Sequence, residues 1–200
     1  QEEKYTVLGP VMQNGAIVYD TLTSTSDLPA GWTDEQEGGI YRLKKRNDEA
    51  LFGFSCSPQS WKQYLYPPRH RLWKARRNGK GFQYDTNGSE AARYAFLGVR
   101  PCELHAIALQ DKIFLDGDYA DSYYKTHREN LFIIAVNCTE AGNTCFCASM
   151  NTGPQAKTNF DLALTEVLEN GQHYFVAEAG NDRGREWLKK IPGKKARTEE

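Results

Sequence analysis

Apolar residues alternate with polar ones in the first quarter of the chain and gather into short solid runs in its second half. Tyr5-Thr6-Val7-Leu8 and Ala16-Ile17-Val18-Tyr19 flank Gln13-Asn14-Gly15, a turn signal that predicts a β-hairpin. Gly39-Ile40-Tyr41-Arg42-Leu43 and Ala50-Leu51-Phe52-Gly53-Phe54 predict a second strand pair around Arg46-Asn47-Asp48. The Ser-, Thr-, Asp-, Gly- and Pro-rich stretch from Thr21 to Gly38 predicts a surface loop. Ser57-Pro58 opens a predicted helix through Trp61, Leu65 and Tyr66, which Pro67-Pro68 ends.

The pattern then changes. Tyr94-Ala95-Phe96-Leu97-Gly98-Val99 predicts a short apolar strand, and Pro101 opens a helix carrying Leu104, Ile107, Ala108 and Leu115 on one face. Leu131-Phe132-Ile133-Ile134-Ala135-Val136 is apolar throughout, as a strand buried on both faces of a parallel sheet requires. Asp161 to Leu168 predicts a helix, His173 to Ala177 a strand, and Asp182 to Lys190 a last helix. The fold class that follows is α/β (α+β overall). An antiparallel β lobe over residues 1–56 precedes a helical and basic connector, 57–92. An α/β domain with a mixed or parallel sheet and flanking helices occupies 93–192, and a charged tail 193–200 leads onward.

A net charge of -1 exerts no global pull toward nucleic acid or anionic lipid. No run approaches the ~18 apolar residues of a membrane span. The polar start, Gln1 to Lys4, predicts no secretory signal, and its lack of an initiating Met predicts a piece of a longer chain. The five cysteines change the picture most. Cys138, Cys145 and Cys147 form a Cys-x6-Cys-x-Cys cluster, which in a chain without a secretory signal points to a metal or redox site in the reducing cytoplasm. Cys56 stands alone and predicts a buried thiol.

Cys102 follows its strand by three residues and Cys138 follows the next by two. If those strands are parallel neighbours, both thiols emerge at the carboxyl edge where open α/β sheets bind ligands, and Cys145 and Cys147 lie on the loop leaving that edge. Behind Pro101, Cys102 falls in the first helical turn, whose unpaired N–H groups favour a thiolate. Arg100 adds positive charge, and Gly142 gives the loop freedom to curl its amides toward sulfur. Four such thiolates predict one [4Fe–4S] cluster. A structural zinc site in a scaffold domain is the alternative, although zinc favours paired Cys-x2-4-Cys knuckles. His105, one turn past Cys102, is a candidate for tuning the site rather than ligating it. Arg69, His70, Arg71, Lys74, Arg76, Arg77 and Lys80, with Trp73 and Phe82, form a basic run. It predicts a solvated face or a docking surface for an acidic redox partner, with nucleic-acid binding as the rival.

Gly98-Val99-Arg100-Pro101-Cys102-Glu103-Leu104-His105, Asn137-Cys138-Thr139-Glu140 and Thr144-Cys145-Phe146-Cys147-Ala148-Ser149-Met150 with Thr152-Gly153-Pro154 resemble the amino-terminal domain of sulfhydrogenase beta subunits. One of the subunits of anaerobic sulfite reductase belongs to the same group. Ser57 to Lys62, Tyr66-Pro67-Pro68 and Phe160 to Glu166 fit it too. The resemblance implies an iron–sulfur protein that passes electrons between a flavin-bearing, NAD(P)H-reactive partner and a terminal catalytic subunit. It also implies that the chain continues into a ferredoxin-like module. Glu103 stands where the family usually has Asp, Ala141 where Pro is common, and Asn151 where Gly is common.

Overall fold

The computed structural model describes residues 5–55, 58–79, 81–85 and 92–196, so Cys56 and Lys80 lie outside the described residues. β1 (Thr6–Gln13) and β2 (Ala16–Thr21) form the expected hairpin, with Asn14 and Gly15 at φ 51° and 77° in its turn. β3 (Trp32–Glu37) and β4 (Ile40–Lys45) form a second hairpin across Gly38-Gly39. Next come α1 (Lys62–Leu65), β5 (Lys74–Asn78), β6 (Gly81–Asp85), β7 (Tyr94–Val99), α2 (Pro101–Phe114), α3 (Ser122–Glu129) and β8 (Phe132–Val136). β9 (Leu162–Glu169), β10 (Gln172–Ala179) and α4 (Asp182–Leu188) complete the chain.

Six strands build one mixed sheet in the order β10-β9-β8-β7-β1-β2. β1, β7, β8 and β9 run parallel, and each outer strand turns back antiparallel. This is the expected α/β class, with the amino-terminal hairpin joined to the central strands through β1 and β7. Side chains alternate across β7, β8 and β9 because successive residues of a strand point to opposite faces. Phe96, Val99, Ile133, Ala135 and Ala163 pack on one face with Trp61 and Leu65, with Leu104 and Ile107 of α2, and with Tyr124 of α3. Trp61 lies between Tyr19 and Phe96, at ring-centroid distances of 3.8 and 4.5 Å. On the other face Val136, Leu97 and Leu164 meet Phe52, Phe54, Leu28 and Leu43. Farther along that face, Trp187 and Leu188 of α4 cover Ala95, Phe132 and Leu162.

Four sequence expectations change. Residues 161–168 are β9, not a helix: Leu162, Leu164 and Glu166 share one buried face, and Asn170-Gly171 (φ 52° and 73°) makes the two-residue turn into β10. Ala50 to Phe54 is not a strand. Four of its backbone groups are taken by side chains, Glu166 accepting from Leu51 N and Phe52 N, and Arg100 donating to Phe52 O and Phe54 O. The partner of β4 is instead β3, inside the expected loop. The helix expected around Trp61 shrinks to one turn, while Lys74, Arg76 and Arg77 of the basic run fall on β5 of the exposed hairpin β5–β6.

Candidate metal centre

β7 and β8 are parallel neighbours, so their carboxyl ends lie side by side. Cys102 sits in the first turn of α2 directly beyond β7, and Cys138 two residues beyond β8. The crossover from β8 to β9, residues 137–161, contains no helix among its residues and carries Cys138, Cys145 and Cys147. Irregular connections of that length are uncommon in compact domains and are usually functional.

Asn137 holds both ends of this crossover. Its Nδ2 donates to Thr165 Oγ1 at 2.8 Å, its Oδ1 accepts from Ala156 N at 2.8 Å, and its own amide donates to Leu164 O. Cys138 N donates to Pro154 O at 3.0 Å, and Thr152 N to Cys147 O at 2.9 Å, folding the return segment back over the cysteines. Asn151 stands at φ 54°, a left-handed conformation that Asn tolerates, so it serves where the family commonly has Gly. Gly142 is not in that region, although the loop does turn there, Cys145 N donating to Gly142 O at 3.0 Å. Gly142 also allows close approach: a Cβ there would lie 3.0 Å from Ser55 Oγ and 3.6 Å from Cys145 Sγ. A Cβ on Gly153 would lie 3.2 Å from Cys147 Sγ and 3.6 Å from Pro101 Cβ, which puts the Cys147 sulfur beside the start of α2.

None of these four cysteines is in a disulfide; Cys145 is exposed and the others partly buried. Cys102, Cys145 and Cys147 all lie within electrostatic reach of Cys138. Burial pushes the Cys138 thiol above its ordinary pKa, the Arg100 guanidinium pulls it down, and the Cys102, Cys147 and Cys145 thiols raise it again. Among the described residues no group of three or more His, Cys, Asp or Glu side chains is arranged to hold a metal ion.

Arg100 is 1 % exposed. Its Nη2 donates to Phe52 O at 2.8 Å and Phe54 O at 2.6 Å, its Nη1 lies 3.5 Å from Asn137 O, and its guanidinium lies over the Phe54 ring at 4.9 Å. Its Nε has no partner, and among the described residues no carboxylate lies at ion-pair distance from the guanidinium. A buried cation with an unused N–H fits a site that takes negative charge, because an unmatched buried charge is costly. The donor set and the Cβ-free surfaces at Gly142 and Gly153 beside two of the sulfurs are consistent with a thiolate-held group. Glu103 reaches Tyr19 Oη at 2.6 Å and accepts from Arg100 N at 2.8 Å, while burial pushes its carboxyl above the usual range. His105 is exposed on α2.

Sequence reasoning missed a second layer. Glu166, 5 % exposed, binds Leu51 N at 2.6 Å, Phe52 N at 2.8 Å and His173 Nε2 at 2.8 Å, and so fixes the segment whose carbonyls hold Arg100. Asp34 and Gln36 of β3 reach Ser55 and Thr144. The signals were present: Asn170-Gly171 marks β9 as a hairpin strand, and Gly38-Gly39 does the same for β3.

Fold and site define a mixed α/β domain whose cysteines gather where its parallel strands end. The chain is similar to sulfhydrogenase 2 subunit beta of Pyrococcus furiosus, at 27% identity over 155 residues, 76% of this chain and 43% of that protein. This supports the resemblance to sulfhydrogenase beta subunits drawn from the cysteine motifs. The chain spans less than half the length of that relative. No family model matches the chain, and no solved structure matches it significantly.

Proposed function

We propose that this chain is an iron–sulfur electron-transfer domain of a multi-subunit oxidoreductase of hydrogenase or sulfite reductase type, with Cys102, Cys138, Cys145 and Cys147 holding one [4Fe–4S] cluster. Its partners would be a flavin-bearing, NAD(P)H-reactive protein and a terminal catalytic subunit. A cytoplasmic location suits four cysteines that form no disulfide. The observation that supports the reading is that Cys102, Cys145 and Cys147 all act on the Cys138 thiol at the edge where β7 and β8 end, beside a buried guanidinium that makes no ion pair among the described residues.

A cluster bound there would supply one-electron storage and release. The chain's own residues do the rest. Four protein ligands leave no open position for substrate, which favours a relay over a catalyst. Arg100 lays positive charge against the Cys138 end of the site and thereby favours the more negative, reduced state. Cys102 lies in the first turn of α2, whose dipole acts with the same sign. His105, exposed on α2 one turn past Cys102, would tune the site rather than ligate it.

Single Cys→Ser replacements test the ligand set. In protein prepared without oxygen, Cys102→Ser, Cys138→Ser, Cys145→Ser and Cys147→Ser should each lose most of the iron and visible absorbance, while Cys56→Ser keeps both. Unchanged iron and sulfide in Cys145→Ser would contradict the assignment. One zinc per colourless chain would make the domain a structural scaffold.

A further inference from the structure

The loop that carries Cys145 is tied to the rest of the molecule mainly by polar contacts. From Thr139 to Met150 no side chain is buried, so apolar packing does not set its position. Two turns bend it locally, Cys145 N donating to Gly142 O and Ser149 N to Phe146 O. Its anchors to the body come from the β3–β4 hairpin and the segment behind it.

Asp34 and Gln36 share one face of β3, two residues apart, and that face looks inward. On the paired strand, Leu43 opposite Asp34 packs into the core, and Tyr41 opposite Gln36 takes the Ile17 amide. Charged and amide side chains on an inward sheet face are costly unless paired, and these are paired toward the cysteine loop. Asp34 Oδ1 accepts from Ser55 N, and its Oδ2 from Ser55 Oγ and Gln36 Nε2, each at 2.6 Å. Gln36 Nε2 also lies 2.8 Å from Ser55 Oγ, and Gln36 Oε1 accepts from Thr144 Oγ1 at 2.8 Å. Ser55, 7 % exposed, is the hydroxyl against which Gly142 closes, and Cys145 Sγ lies 3.6 Å from where the same Cβ would stand. At the other end of the loop, Arg46 grips both oxygens of Glu140 at 2.8 Å and is itself braced by Asp48.

We propose that Asp34, Gln36 and Ser55 are positioning residues, which hold residues 140–145 so that the Cys145 thiol is delivered to the other three before any group binds. The inference rests on the cluster-site reading for its purpose, but the order it imposes is a property of the metal-free chain. Opposite these residues, Glu35 points away and pairs with Lys44 at 2.7 Å, which makes it the control on the same strand.

The test uses Gln36→Leu, Ser55→Ala, Ser55→Thr and Glu35→Gln. In metal-free protein, amide exchange of residues 139–147 should rise about tenfold in Gln36→Leu and Ser55→Ala, with the exchange of α2 and β8 unchanged. Ser55→Thr, which keeps the hydroxyl, and Glu35→Gln should match the parent. In iron-loaded protein, the same two variants should surrender iron to a chelator about tenfold faster at unchanged initial iron content. Parent-like exchange and iron release in Gln36→Leu and Ser55→Ala would overturn the proposal, as would faster exchange spread over the whole chain. A parent chain that takes up no iron would defeat the cluster reading, and the exchange measurements would still decide the positioning role.

Discussion

Arg100 carries its charge where water does not reach it, and its neighbours are carbonyl oxygens, an aromatic face and the Cys138 thiol. A fixed cation stabilises the more negative state of a redox group, so its removal moves the potential in a known direction. Arg100→Met should lower the reduction potential of the loaded domain by on the order of 60 mV, a tenfold step in a one-electron equilibrium. Arg100→Lys keeps the charge and should fall by less. A rise in Arg100→Met, measured by dye-mediated titration, would contradict the role. At this scale much of the candidate site was legible in the chain. Proline fixed Cys102 in a first helical turn, and two solid apolar runs placed Cys102 and Cys138 at one edge. The fork of Arg100 was not legible, because its partners are backbone carbonyls of an irregular segment and carbonyls leave no trace in sequence.

The misread element nearest the site has a plain cause. Residues 162–169 contain Leu, Ala and Glu, good helix formers, yet they pair in register between β8 and β10. Tertiary pairing outweighs a helix preference of a few tenths of a kcal/mol per residue. The buried Glu166 disguised the alternation, since it stands at an inward position where an apolar residue is the default. The Asn170-Gly171 turn is what holds β9 and β10 in register. Gly171→Ala, which puts a Cβ at φ 73°, should cost about 1–2 kcal/mol in urea unfolding without altering iron content. Glu166→Gln should do more than destabilise. By loosening Leu51 and Phe52 it should also free the carbonyls that hold Arg100, so its potential should shift in the same direction as Arg100→Met. On the opposite face, Trp61→Ala removes the ring between Tyr19 and Phe96 and should cost about 3–5 kcal/mol.

Across the whole molecule, the cysteine loop serves as the crossover between two parallel strands, a place where a helix is usual. That makes the stability of the sheet edge and the order of the loop one problem, joined at Arg46. Its guanidinium beside Asp48 pulls that carboxyl down to about 2. The folded-state value lies below the unfolded one, so the pair's contribution is present above the ordinary carboxylate pKa and is lost as pH falls toward the folded value. The stability gap between the parent and Asp48→Asn should therefore be open near pH 6 and narrow below about pH 4. It should be small, because Asp48 is partly solvated. A gap that widens with acid would rule out this linkage.

The most direct measurement is iron, acid-labile sulfide and zinc per chain, on protein purified without oxygen. A cluster held by Cys102, Cys138, Cys145 and Cys147 predicts about four irons and four sulfides per chain, with a brown colour that dithionite bleaches. One zinc with neither sulfide nor colour would contradict the relay and leave the four thiols as a structural site.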